Sequence, residues 1–122
     1  MVASVGAPLV ERNVAVKMRD GVLLRADVWR PSSTGRFPVL VYRTPYDRRR
    51  AQGPESTVAH AAARGYAVVI QDVRGRYGSD GDFEPYRNEG RDGFDTIEWA
   101  AAQPWSDGSV GTFGLSYPGA VQ

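Results

Sequence analysis

Three short apolar runs, Phe37–Tyr42, Tyr66–Ile70 and, with a weaker pattern, Ser109–Phe113, constrain the fold most. Near-continuous runs of this length fit strands buried on both faces of a parallel sheet, with helices covering each side. The segments between them agree. Thr57 to Arg64 is rich in alanine, with Ser56 as its N-cap and Gly65 as its C-terminal stop. Asp92 to Gln103 places Phe94, Ile97 and Ala101 at helical spacing, and Pro104 ends it. Upstream, Val14, Val16 and Met18 alternate with polar or small neighbours, as do Val22, Leu24, Ala26 and Val28. Asp20-Gly21 lies between these two period-two stretches, and glycine supplies the positive φ of a tight hairpin turn. Pro31 to Gly35 reads as a loop. The order is hairpin, strand, helix, strand, helix, strand, which is an α/β pattern in one domain spanning 1–122.

Composition removes several classes of function. With 42% hydrophobic residues the chain can bury a core. Fifteen basic residues against 14 acidic ones leave a net charge of +1, which gives no reason to expect nucleic acid or an anionic membrane as partner. The absence of cysteine excludes disulfides and thiolate metal sites. No run approaches the length needed to cross a bilayer, and Met1 to Arg12 lacks the basic start and apolar stretch of a signal peptide. A cytoplasmic location is the expectation.

Chemistry concentrates after the last apolar run, at Gly114-Leu-Ser116-Tyr117-Pro-Gly119. A serine on a sharp strand-to-helix elbow presents its hydroxyl to a carbonyl carbon, and the N–H of the following residue, here Tyr117, points at the developing oxyanion. Taken alone, a Gly-x-Ser match is common by chance and Ser116 equally fits an ordinary turn. The second glycine is displaced by one position from the usual G-x-S-x-G.

Five pieces occur in an order that resembles a known family: Met18–Pro31, Val39–Asp47, Gly65–Phe83, Asp92–Gly108 and the Gly114–Gly119 elbow. Together they resemble the N-terminal part of an α/β-hydrolase of the CocE/NonD group. That group includes X-Pro dipeptidyl-peptidases, cocaine-esterase-like enzymes and α-amino-acid ester hydrolases. The resemblance implies that Ser116 is the nucleophile and that the Tyr46 hydroxyl joins the Tyr117 N–H in the oxyanion hole. It implies hydrolysis of an ester or peptide bond in a small-molecule or peptide substrate through an acyl-enzyme, with no metal or organic cofactor. Read without the family, Tyr46 is an aromatic after a strand, as fit for packing as for catalysis.

In α/β-hydrolases the triad runs Ser, then Asp or Glu, then His. No acidic residue or histidine follows Ser116, and the sole histidine, His60, lies far upstream in the alanine-rich helix. The expectation is a catalytic domain truncated just after its elbow, inactive alone and prone to self-association. Two alternatives stand beside it: a non-catalytic fragment, or a subunit or binding module completed by a partner chain.

Other signals read more plainly. Gly75 to Gly81 lacks the lysine of a phosphate-binding loop, and Asp80 with Asp82 lacks the further oxygens of a calcium loop. The segment reads as a mobile rim near the site. Arg48 to Arg50 reads as a solvated loop face, and Asp92 with Asp95 as helix-start charges that favour the dipole.

Overall fold

Alternation at the start of the chain becomes a hairpin because its apolar face has a helix to bury against. The computed structural model describes residues 8–83 and 89–113. Strand β1 (Leu9–Lys17) pairs antiparallel with β2 (Leu23–Arg30), and Val16, Met18, Leu24, Ala26 and Val28 all turn inward. Gly21 carries the turn at φ +89°, and the Met18 N–H closes it on the Val22 carbonyl at 2.9 Å. The strand begins earlier than the alternation indicates. A bulge between Glu11 and Val14, with Asn13 at φ +58°, shifts the register and hides the first residues from a period-two reading.

The rest of the order holds: β3 (Phe37–Thr44), α1 (Thr57–Ala63), β4 (Ala67–Asp72), α2 (Glu89–Ala101) and β5 (Ser106–Thr112). The strands lie in the order β1-β2-β4-β3-β5, with β3 parallel to both β4 and β5, and β2 antiparallel to β4. Every residue of the central strand β4 is buried. One face of the sheet packs Val39, Val41, Ala67 and Val69 against Ala100 and Trp105; the other packs Trp29, Val68 and Ile70 against Val58, Ala61 and Ala62 of α1. Three layers result. Ser56 caps α1 as expected, accepting the Ala59 N–H at 3.1 Å, and Gly65 stops it at φ +99°.

Three expectations require correction. β5 is not buried on both faces: most of its residues are exposed among the described residues, where it is the edge strand beside β3. Asp92 does not serve the helix dipole alone. It is the fourth residue of α2, is buried and takes a two-pronged contact from Arg74, at 2.9 and 2.8 Å. Asp95 likewise serves Arg19, which donates from both its backbone and its guanidinium. The third is the arginine cluster. Arg49 and Arg50 are exposed, but Arg48 is buried between two aspartates.

Candidate active site

Parallel strands bring their carboxyl ends to a common edge, where open α/β sheets bind ligands. Thr44 ends β3 opposite Asp72 of β4, and the Val73 N–H continues the ladder to the Thr44 carbonyl at 3.0 Å. On the other side of β3, Val41 pairs with Thr112, and the Phe113 N–H reaches the Val41 carbonyl at 3.2 Å. The Phe113 ring stacks on Tyr42, centroids 4.9 Å apart. Burial pushes the Tyr42 phenol up. Three residues after this stack comes Ser116. Ser116 and Tyr117 lie outside the described residues.

Tyr46 follows β3 at the same edge and is 52% exposed. Its loop is staked on both sides. The Tyr46 N–H donates to Thr44 Oγ1 at 2.9 Å, and the Pro45 carbonyl accepts Arg76 Nε at 3.1 Å. Asp47 then takes φ +80° and ψ 107°, a sparsely populated conformation that costs a non-glycine residue about 1–3 kcal/mol. Its carboxylate compensates by accepting the Arg49 N–H at 3.1 Å, which caps a short 3-10 turn over Arg48–Ala51.

Behind this loop lies a buried charge cluster that the sequence reading missed. Arg48 lies between Asp27 of β2, at 3.0 Å, and Asp72 at the end of β4, with its Nη2 on the Asn13 side chain at 3.1 Å. Asp27 also accepts the Asn13 N–H at 2.9 Å, Arg12 at 3.0 Å and Gln52 at 2.8 Å. Burial works to raise the Asp27 carboxyl, but these donors outweigh it and hold the group below its usual range. Burial works against the Arg48 charge too, and its two carboxylates overcome that. A sequence signal existed: Asp27 lies between Ala26 and Val28 in an alternating strand, on the face of Trp29, and Asp72 follows the apolar run that ends at Ile70 by only two positions.

The segment after β4 is more ordered than a mobile rim. The Gly75 N–H bonds the Asp80 carbonyl at 2.9 Å, the Asp80 N–H bonds Leu23 at 2.9 Å, and the Ser79 hydroxyl bonds the Asp72 carbonyl at 2.6 Å. Gly75 lies at φ +74°, where an added Cβ would stand 2.1 Å from the Phe83 nitrogen. Gly78 admits the Arg48 guanidinium, since a Cβ there would stand 2.5 Å from Nη1. A cleft of about 330 Å³ opens between Arg48, Arg49, Tyr77 and Gly78. His60 is on the exposed side of α1, 3.8 Å from Glu55. Among the described residues, no three His, Cys, Asp or Glu side chains gather as a metal would need, and no helix is long and apolar enough to cross a membrane.

The model of the X-Pro dipeptidyl-peptidase (S15) family matches residues 20–122. The chain belongs to that family. It is 47% identical over 116 residues to the cocaine esterase of Rhodococcus sp. (strain MB1 Bresler), covering 93% of this chain and 20% of that enzyme. Among solved structures, an α-amino acid ester hydrolase superposes with a TM-score of 0.83 at 31% identity over 99% of this chain, which spans 24% of that one. A CocE/NonD family hydrolase from Staphylococcus aureus gives 0.81 at 32% identity, over 93% of this chain and 24% of that one. The fold is thus part of an α/β-hydrolase. The S15 chain spans about a fifth of the curated relative and a quarter of these solved ones.

Proposed function

We propose that this S15 chain is the N-terminal part of a catalytic domain that hydrolyses esters through a serine acyl-enzyme. Ser116 Oγ bonds to the substrate carbonyl carbon while a histidine, supplied by the remainder of the complete enzyme, takes the hydroxyl proton. The carbonyl electron pair moves to oxygen, where the Tyr117 N–H and the Tyr46 hydroxyl meet the negative charge. Collapse of that intermediate breaks the bond to the leaving group, which departs with the proton from histidine; water then attacks the acyl-enzyme in the same way and frees Ser116.

The observation that carries this reading is the pairing of β3 with β5. These adjacent parallel strands run to one edge, one leading into Tyr46 and the other toward Gly114-Leu-Ser116. The positive φ at Asp47, directly after Tyr46, fits a backbone held out of its resting conformation at a functional loop. Forty-seven per cent identity to a cocaine esterase favours a carboxylic ester over a peptide as substrate.

A fluorophosphonate probe with peptide mapping tests the nucleophile. The complete enzyme is expected to carry the label on Ser116 and to lose both label and ester hydrolysis on Ser116→Ala. Residues 1–122 expressed alone are expected to take no label, because they carry no histidine or acidic residue after Ser116, where the triad order puts its base and acid. Full hydrolysis by the Ser116→Ala enzyme would overturn the assignment.

A further inference from the structure

Asp72 does more than neutralise Arg48. Its Oδ1 accepts the Arg48 backbone N–H at 2.7 Å, while its Oδ2 accepts the Gly78 N–H at 3.1 Å together with the Arg48 guanidinium. The residue has no solvent exposure, and its own carbonyl takes the Ser79 hydroxyl. Neutralising a buried arginine does not call for backbone N–H groups on the same carboxylate. Backbone N–H groups from two separate loops, converging on one carboxylate at the end of the central strand, fix where those loops stand.

We propose that Asp72 is a positioning residue for Tyr46, acting through the backbone of Arg48. This rests on the reading of Tyr46 as an oxyanion donor. The loop is held at Pro45 by Arg76 and at Arg48 by Asp72, and Tyr46 lies between the two points. Asp47, the link between Tyr46 and the Asp72 anchor, holds a positive φ that L residues leave when free to do so. Loss of the anchor lets Asp47 relax and carries the phenol away from the position its hydroxyl must occupy. Displacements of about 1 Å at a reacting centre cost on the order of 100-fold in rate.

Asp27 provides the control. It grips the same guanidinium at 3.0 Å, but its backbone contact is to Asn13 on β1, and it meets the loop that carries Tyr46 through the side chains of Arg48 and Gln52 rather than through a loop N–H. Asp27→Asn therefore disturbs the same charge cluster without releasing Arg48 from β4.

The test compares Asp72→Asn, Asp27→Asn, Tyr46→Phe and the Asp72→Asn/Tyr46→Phe double variant in the complete enzyme, with folding followed by thermal melting. Asp72→Asn leaves one accepting oxygen for the Arg48 and Gly78 N–H groups and turns an NH2 toward the other donors, and is expected to lower kcat about 10- to 100-fold with KM little changed. Asp27→Asn is expected to stay within about threefold of the parent kcat, and Asp72→Asn to add less than about twofold in the Tyr46→Phe background. An equal loss of kcat from Asp72→Asn in both backgrounds would overturn the proposal while leaving Tyr46 in its role. So would a loss from Asp27→Asn as large as that from Asp72→Asn. An unchanged kcat in Tyr46→Phe would instead sink the oxyanion reading, and this inference with it. If Asp72→Asn does not accumulate folded, Asp72→Glu keeps the charge, moves the carboxylate by one methylene and takes its place in the same comparison.

Discussion

Arg48 and Arg74 have equally buried side chains, each about 10% exposed, and each bridges two aspartates from different elements. Their surroundings differ in kind. Arg74 follows β4 and grips Asp92 of α2 with a parallel pair of bonds, then reaches Asp20 in the hairpin turn at 2.9 Å. These are side-chain contacts that lock layers together. Asp92's hydrogen bonds, against the cost of burial, keep the Arg74 guanidinium firmly charged. Around Arg74, Asp20 takes one backbone N–H, from Val22 in its own turn, whereas around Arg48 the aspartates take them from three separate segments, at Asn13, Arg48 and Gly78. One cluster holds a helix onto a sheet; the other sets the path of loops at the carboxyl edge.

The largest effect should come from breaking the first cluster. Arg74→Met leaves Asp92 buried without its cation and is expected to cost about 3–5 kcal/mol, read as a fall in the urea midpoint of the complete enzyme. The folded remainder should keep its kcat. A neutral substitution, or a loss of kcat to match Asp72→Asn, would erase the distinction between the clusters.

Acid sharpens it next. Asp27 titrates lower in the folded protein than its ordinary value, so its stabilisation is complete above about pH 4 and fades as pH falls through the folded value. Asp27→Asn should therefore flatten the decline of melting temperature below about pH 4. Asp20 is also lowered, mainly by the Arg74 bond, but it is exposed to solvent. Asp20→Asn should flatten the same limb less. Equal flattening would mean that burial does not separate the two.

His60 belongs to neither cluster and sets the baseline. His60→Ala should change stability by less than about 0.5 kcal/mol and leave ester hydrolysis unaltered, as steady-state kinetics would show. Lost activity would call for a base on α1.

Much of the site's frame was legible along the chain. Ser56 and Gly65 bracket α1, Asp20-Gly21 turns the hairpin, and Tyr46 follows the β3 run, all from signals a few residues wide. The early start of β1 was hidden by its bulge. Arg48 looked solvated because its neighbours Arg49 and Arg50 are, while its partners lie 21 and 24 residues away. Asp92 looked like a dipole partner because nothing local announces Arg74, 18 residues earlier.

The chain's own order of residues determined the elements, the hairpin, the helix ends and the place of Tyr46 after a buried strand, because periodicity, caps and turns act over a single turn or pleat. Only the tertiary structure decided that β2 and β3 flank β4, and so that Asp27, Asp72 and Arg48 meet behind Tyr46. Charge pairing is a matter of distance through space, and strand order sets that distance once burial has removed water from between the partners.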